Sequence, residues 1–335
     1  MAGRPALSPK GERGIPPELM KLKEISLADF VRQEKVAPKV AEWIRISLEC
    51  EIATAWDRIS ALDGIAEYHI FLGDGEECYR VTGGNDKFTQ AMAKFVGTGN
   101  ISLNHRVTRV VSGPNGVEVH FLHTEPNENG VVGGRYVIST IPLFRLFEVQ
   151  FVPPLSDKKQ EAIQSMAWGS YFKAHIFLPG KATRFWTKGD SSILPILSDS
   201  EMGVIYDGNP QQEQPTKILS LLVHGDSAEA FNLMPLDAVR KRIVTGLDKL
   251  WPGIAGEIQD MEFYRFHPRA IAAWPVGRSR FDEFSNEIRR PENNVYLAGD
   301  FTESSHSDGA FISAHRVVQG ILGSRRAEER RALPR

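Results

Sequence analysis

The stretch that most constrains the fold runs from Asn293 to Leu322 and reads NNVYLAGDFTESSHSDGAFISAHRVVQGIL. Its apolar run Val295–Ala298 is long enough for a buried strand, and Gly299–Asp300 ends that strand because glycine adopts backbone angles that a strand does not use. After a small polar segment, apolar residues recur at helical spacing: Ala310, Ala314, Val317, Val318, Ile321 and Leu322. The sequence therefore predicts a strand, a tight turn, a polar loop and a helix.

The start of the predicted helix suits a negatively charged group. The free N–H groups of a first helical turn and the helix dipole favour an anion, by about 0.3–1 kcal/mol per charge at an exposed site. Gly309 places no side chain between these N–H groups and a docked ligand. Without a ligand, the same pattern describes an ordinary βα unit in which Asp300 and Asp308 are turn and cap residues.

An AGD strand end followed by a DGA helix start resembles the C-terminal flavin-binding segment of the flavin-containing amine oxidoreductase superfamily. This superfamily includes amine and amino-acid oxidases, protoporphyrinogen oxidase and carotenoid desaturases. The resemblance implies an FAD cofactor whose ribityl–pyrophosphate part is bound by Asp300, directly after Gly299. It also implies that the N–H groups from Asp308 through Gly309 and Ala310 to Phe311 face the N1/O2 edge of the flavin. Reduced flavin carries negative charge near N1, which a helix N-terminus stabilises.

Three earlier segments carry the same resemblance in the same order. A helix is predicted after Gly83–Gly84, capped by Asn85 or Asp86, with Phe88, Ala91, Met92 and Phe95 on one face. The strand ISLNHRVTRVV follows, and the resemblance implies that the backbone of Val107 binds the adenine of FAD. The run VISTIP resembles the passage from the FAD domain to the substrate domain, and Phe151–Leu155 resembles the F-x-PPL strand end that follows it.

The segment HPRAIAAWPVG resembles the part of these enzymes that brings an aromatic residue near the isoalloxazine, and Trp274 is the candidate. Four arginines near it offer charge to a carboxylate or phosphate, although solvated arginines are the commoner case: Arg265, Arg269, Arg278 and Arg280.

Two departures weaken amine oxidation and leave flavin binding untouched. Glu148 stands where many amine oxidases place a lysine that holds a water against flavin N5, and Lys173 is interpreted as a surface residue instead. Ser307 stands where several of them place an aromatic cage residue. We identify no catalytic residue and no metal site, and we interpret His306 with its acidic neighbours as cap and turn residues.

Composition excludes several classes of protein. Of 335 residues, 41% are hydrophobic and 24% are charged, as in an ordinary globular protein. A net charge of −2 gives no case for nucleic acid or an anionic membrane, and the two cysteines are too few for a disulfide framework. The absence of a long apolar run and of a signal-peptide core makes a cytoplasmic location the expectation.

The glycine-rich loop that opens such FAD domains is missing. We find no G-x-G-x-x-G between a strand and a helix, so the first βαβ unit is expected to be absent. Three explanations stay open: a fragment of a longer gene product, a split enzyme that receives the loop from a partner, or a degenerate paralogue without flavin. A sheet that lacks its central strand exposes unpaired edges and apolar surface.

We therefore predict an α/β with α+β fold: a Rossmann-like FAD/NAD(P)-binding domain lacking its first βαβ unit, plus a mixed-sheet substrate domain with helices. The predicted function is FAD-dependent hydride transfer from an amine or related small molecule to flavin N5. The alternatives are a carotenoid-type desaturase and a non-catalytic or partner-dependent subunit, with a partner chain or a homo-oligomer possible. The predicted divisions are a disordered segment over 1–18, helices of the substrate domain over 19–78, the middle FAD segment over 79–142, the substrate domain over 143–262, the C-terminal FAD segment over 263–325 and a tail over 326–335.

Overall fold

The computed structural model describes residues 15–68, 81–188, 191–208 and 216–332. Most of the expected disordered segment therefore lies outside the described residues, as do Cys78 and the end of the tail at 333–335. Pro17–Met20, at the end of the segment expected to be disordered, is helical instead. Within the described ranges, no helix is both long and apolar enough to cross a membrane.

In the described part of the chain, five α-helices precede the first strand, and runs of strands are then separated by single helices or pairs of helices. Numbered in chain order, the helices are α1 (Pro17–Met20), α2 (Leu27–Gln33), α3 (Pro38–Ile52), α4 (Ala61–Tyr68), α5 (Asp86–Val96), α6 (Leu143–Leu146), α7 (Asp157–Gln164), α8 (Gly225–Leu233), α9 (Leu236–Leu250), α10 (Glu283–Arg289) and α11 (Ser307–Ala332). The strands are β1 (His105–Gly113), β2 (Gly116–His123), β3 (Glu128–Gly134), β4 (Val137–Ser139), β5 (Gln150–Val152), β6 (Ala167–Pro179), β7 (Thr187–Lys188), β8 (Ser191–Ser192), β9 (Ile196–Leu197), β10 (Val204–Asp207), β11 (Thr216–His224), β12 (Asp260–Ala273) and β13 (Val295–Leu297).

The chain forms two compact units. The first comprises Met1–Ile65 and Met166–Ser279, and the second comprises Ala66–Ser165 and Arg280–Arg335. These boundaries differ from the expected ones at 142 and 262, because β5 pairs with β1 inside the second unit and β12 stays in the sheet of the first. The assignment of the units to substrate and to FAD remains a prediction.

The first unit is built on a sheet in the order β12-β6-β11-β10-β9. All its strand pairings are antiparallel, where a mixed sheet is expected from the sequence. The helical spacing of Val239, Ile243, Leu247 and Leu250 predicts one buried face for α9, and Val239, Ile243 and Leu247 belong to the core of this unit. Leu250, also expected to face inward, is 43% exposed because it is the last residue of the helix.

The helices at the start of the first unit follow the sequence pattern only in part. A serine before the apolar residues Leu27 and Val31 predicts an N-cap, and Ser26 caps α2, since its hydroxyl accepts the N–H of Asp29 at 3.0 Å. In α3, the helical spacing of Val40, Trp43 and Ile44 predicts a buried face, yet Val40 and Trp43 are about half exposed. Burial in α3 is confined to its C-terminal half, at Ser47, Leu48, Cys50 and Ile52.

The second unit contains two small sheets that share one core. Strands β3, β2 and β1 form an antiparallel meander that β5 extends in parallel, while β13 pairs in parallel with β4. Val110 of β1, Val149 and Val295 of β13 are buried together. This cluster connects the meander to the strand that leads into the AGD turn.

Helix α5 forms over Asp86–Val96 as predicted, but its apolar face is not covered. Phe88 is 59%, Met92 46% and Phe95 93% exposed, and none of the described residues of this helix is buried. The sequence pattern therefore predicts this helix correctly, but its apolar face is exposed where burial is expected. Asn85 precedes the helix without a side-chain capping bond.

Candidate functional site

The AGD turn follows β13 inside the second unit. Val295, Tyr296 and Leu297 are buried. Strand β13 pairs in parallel with β4, and Val295 lies opposite Val137. Gly299 has a φ of +150°, a conformation that other residues rarely adopt. A 3₁₀ turn over Asp300–Thr302 follows, closed by the Thr302 hydroxyl, which donates to the carbonyl of Gly299 at 2.8 Å. The sequence pattern therefore predicts this strand and turn correctly.

Asp300 is half-buried at the first position of this turn. Burial raises the pKa of its carboxyl, while backbone N–H groups and the charge of His306 act in the opposite direction. Among the described side chains, none donates a hydrogen bond to Asp300. Its oxygens therefore have acceptor capacity left for hydroxyl groups, which is the chemistry that a ribityl chain requires.

The helix start differs from the sequence prediction. Helix α11 begins at Ser307 rather than Gly309, and Asp308 accepts a 3.0 Å hydrogen bond from the Ser304 hydroxyl. A Cβ on Gly309 would lie 2.4 Å from the carbonyl oxygen of Ser304 and 2.8 Å from its nitrogen. Gly309 is therefore required by the close approach of its own loop, and not by an open space for a ligand as we expected.

Ala310 and Phe311 are both exposed, Phe311 by 59%. The first N–H groups of α11 have no partner within the helix, as at every helix N-terminus. Ser313 ties the helix to the turn, because its hydroxyl accepts the N–H of Gly299 at 2.8 Å. The helix start thus stays a suitable place for negative charge, held at a fixed position beside the turn.

Two arginines and a buried glutamate brace the turn. Arg316 Nε donates to Glu303 Oε1 at 2.8 Å, and Arg316 Nη2 donates to the Leu297 carbonyl and the Thr302 hydroxyl, both at 3.2 Å. Arg289 Nε donates to the Thr302 carbonyl at 2.6 Å. Because these bonds reach the strand end and both sides of the turn, they fix the backbone around Asp300.

A buried ionic cluster lies next to this turn. Arg280 Nη2 donates to Glu67 Oε2 at 2.5 Å, and His306 Nε2 is hydrogen-bonded to Glu67 Oε1. Glu67 is 1% exposed. Its burial raises the pKa of its carboxyl, but the charges of Arg280 and His306 outweigh that effect and lower the pKa to about 2. Glu67 is therefore a carboxylate in the folded protein.

The sequence does not indicate this cluster. It predicts a solvated Arg280, which is instead 7% exposed beside Glu67. It predicts a cap or turn role for His306, which is instead hydrogen-bonded to Glu67, 239 positions away. No local pattern marks such a pair. In the part of the chain that the structure describes, no group of three or more His, Cys, Asp or Glu side chains is arranged to hold a metal.

The two remaining candidates lie elsewhere. Val107 is in β1, where a bulge between Val107 and Arg109 breaks the register with β2, and its side chain packs against the cluster that contains Val295. Trp274 belongs to the first unit and is 2% exposed. Its carbonyl accepts the N–H of Ser60 at 3.0 Å. The cofactor roles of both residues remain predictions.

Residues at the departures from the family pattern are accessible. Glu148 pairs with Arg145 at 2.9 Å, and both side chains are more than half exposed. Ser307 and Lys173 are also exposed.

The sequence matches the family described as flavin containing amine oxidoreductase over residues 7–322. The chain therefore belongs to this family.

Known proteins of this kind resemble the chain at low identity. It is 24% identical over 331 residues to lysine-specific histone demethylase 1 homolog 1 of Arabidopsis thaliana, covering 93% of this chain and 37% of that protein. It is 23% identical over 237 residues to the L-amino-acid oxidase of Vipera ammodytes ammodytes, covering 68% of this chain and 47% of that protein. The chain thus spans less than half the length of each of these relatives.

A solved structure shows the same fold. Cyclohexylamine oxidase from Brevibacterium oxydans superposes with a TM-score of 0.78 at 15% identity, covering 92% of this chain and 69% of that chain.

Proposed function

We propose that this chain contributes the FAD-facing and substrate-facing parts of an oxidoreductase that removes a hydride from a carbon bonded to nitrogen. The observation that carries the proposal is the strand–turn–helix from β13 to α11, which places the half-buried Asp300 beside the N-terminus of α11 in a member of a flavin family. The relatives include oxidases of amino acids and of cyclohexylamine, which favours an amine or amino acid over a polyene as substrate.

The side chains around the turn have separable tasks. Bound FAD would supply the two-electron acceptor for the hydride. Asp300 would accept hydrogen bonds from cofactor hydroxyls, and the first-turn N–H groups of α11 would face a negatively charged part of the cofactor. Ser313 and Arg316 hold the turn and the helix start in one arrangement, which lowers the ordering cost of binding.

The test compares the wild-type chain with Asp300→Asn, which keeps the size of the side chain and removes its charge. We expect FAD affinity to fall about tenfold or more, since a hydrogen bond to a charged group contributes about 1.5–3 kcal/mol. Asp226→Asn serves as the matched control, because Asp226 is exposed and pairs with Arg58 on the surface of the first unit. FAD is followed by its visible absorbance after gel filtration. Equal FAD retention in both variants would contradict the role given to Asp300.

The substrate class is tested on the flavin-loaded protein under anaerobic conditions. We expect bleaching of the flavin absorbance by members of a panel of primary amines, polyamines and L-amino acids, and none by a polyene. Bleaching by the polyene alone would replace the proposal with the desaturase alternative.

We also infer that a strand–helix unit with a glycine-rich phosphate loop completes the second unit. Parallel strands are normally covered on both faces and accompanied by further strands, yet β4 and β13 form a two-stranded sheet. The face of α5 that carries Phe88, Met92 and Phe95 is exposed and apolar. The test below applies whether this unit is part of the same polypeptide or a separate one.

This inference is tested by adding a separately produced strand–G-x-G-x-x-G–helix unit from a full-length relative. We expect a complex that retains FAD better than the chain alone. Phe95→Asp should weaken the complex, whereas Leu233→Asp should not, because Leu233 is a comparably exposed residue of the first unit, at 87%. Equal binding by both variants would show that the α5 face takes no part.

A further inference from the structure

The Glu67–Arg280–His306 cluster, defined by the two hydrogen bonds described above, has a charge arrangement that the proposed function does not use. Each carboxylate oxygen of Glu67 has one cationic or potentially cationic partner. Arg280 is always charged, so it neutralises Glu67 by itself. A second basic group on the same carboxylate is therefore not needed for neutrality of that pair.

His306 also acts on a second acidic group. Its charge acts to lower the pKa of Asp300, which is itself half-buried. A protonated imidazole is therefore stabilised both by the Glu67 carboxylate that it contacts and by an ionised Asp300.

The other charged groups of the loop are occupied elsewhere. Glu303 is paired with Arg316 at 2.8 Å and with Arg289 at 3.7 Å. Asp308 is exposed and accepts the hydroxyl of Ser304. Glu67 is hydrogen-bonded to the imidazole, and the charge of His306 also acts on Asp300.

His306 lies at the N-terminus of α11. It is the residue directly before Ser307, the first residue of the helix, and its carbonyl accepts the N–H of Ala310 at 3.4 Å. The imidazole is 28% exposed, so one side remains accessible while Nε2 is held by Glu67. A cation at this place adds to the positive end of the helix dipole.

We propose that His306 is a positioning residue whose imidazolium, held by Glu67, attracts an anionic part of the cofactor to the start of α11. The proposal rests on the proposed function. The anionic part is either the pyrophosphate or the reduced isoalloxazine ring, which share the same requirement for positive charge. The two can be distinguished, because the pyrophosphate affects the affinity for FAD and ADP, whereas the reduced ring affects the midpoint potential of bound flavin.

The first experiment examines the charge of His306 without any cofactor. Imidazole NMR signals of the full chain are followed against pH, and that of His306 is assigned by its loss in His306→Gln. We expect Glu67→Gln to lower the titration midpoint of His306 by about one pH unit or more, because a charged partner is removed. An unchanged midpoint, or a His306 that is neutral at pH 7 in the wild type, would overturn the proposal. If Glu67→Gln does not fold, the wild-type titration alone tests the proposal, because a His306 that is neutral at pH 7 would overturn it.

The second experiment measures cofactor binding to the wild type, His306→Gln and His306→Arg. We expect His306→Gln to weaken binding of the anionic form by about tenfold and His306→Arg to restore most of it, as for a lost charged contact. His315→Gln is the control, because His315 is exposed on the same helix. If the pyrophosphate is the partner, affinity for both FAD and ADP falls. If the reduced ring is the partner, oxidised FAD binds normally and the midpoint potential of bound flavin falls.

Equal affinities and potentials in wild type and His306→Gln would overturn the proposal. Failure of the wild-type chain to bind FAD or ADP would overturn the proposed function and the cofactor role of His306 with it. The NMR titration would then still report whether the cluster holds His306 as a cation, so the two failures are distinguishable.

Discussion

Arg316 on α11 donates a 2.8 Å hydrogen bond to the carboxylate of Glu303, which directly follows the turn after β13 and is 4% exposed. We expect Arg316→Gln to lower the free energy of unfolding by about 3 kcal/mol, because it removes the nearer cation from a buried carboxylate, whereas Arg289 lies 3.7 Å away. Chemical denaturation measures this change. Arg145→Gln is the control and should cost at most about 1 kcal/mol, since Arg145 and Glu148 form an exposed pair. Equal losses in the two variants would show that Arg316 does not brace the turn.

Lys159 is a buried ammonium that caps the end of α10. Its Nζ donates to the carbonyl of Arg290 at 2.6 Å and also to that of Glu287, and its side chain is 2% exposed. Lys159→Met keeps the apolar stem and removes the donors, so we expect a loss of about 2–3 kcal/mol in unfolding free energy. Lys158→Met, at the exposed neighbouring position, should change it by less than about 0.5 kcal/mol. If Lys159→Met left the free energy of unfolding unchanged, water would satisfy those carbonyls instead.

His224 should make the chain sensitive to acid. Burial, helped by the charge of Arg45, lowers the pKa of its imidazole to about 4. In an unfolded chain, the histidine pKa is about 6.5. Between about pH 6.5 and the lower pKa of the folded state, the unfolded chain therefore binds more protons than the folded chain. The free energy of unfolding falls as the pH is lowered through this range. We expect the wild type to lose up to about 3 kcal/mol relative to His224→Gln as the pH is lowered through this window. Denaturation curves at several pH values measure it, and a constant difference between the two proteins would contradict the burial of His224.

Cys50 should be unreactive in the folded chain. Burial and the nearby Glu51 raise the pKa of its thiol to about 12, and its Sγ donates to the Ser47 carbonyl. Because the thiolate is the reactive form, we expect alkylation of a Cys78→Ser variant to be slow under native conditions and fast in denaturant. Mass spectrometry after timed labelling measures the difference. Equal rates would show that α3 opens readily around Cys50.

Features that depend on a few neighbouring residues could be predicted. The apolar run at Val295–Leu297 and the glycine after it lead to a strand and a turn in the structure. Ser26 caps α2, and the period over Asp86–Val96 gives a helix. The family was also evident from the sequence, because the AGD and DGA segments are short continuous motifs.

Features that depend on packing could not be predicted. The amphipathic period of α5 says which side chains share a face, but it does not say whether another element covers that face. The sequence pattern around Gly309 fits a ligand-binding helix start. Only the tertiary structure shows that the backbone of Ser304 occupies the space beside Gly309.

The sequence by itself determined the secondary structure around the AGD turn and the family, since caps, turns and hydrophobic periods act over a few residues. The tertiary structure alone decided that Glu67, Arg280 and His306 meet, because a buried charge is neutralised by whichever partner the fold brings within hydrogen-bond distance. Such partners lie more than 200 positions apart in this chain, at separations of 213 and 239, where no local pattern can relate them.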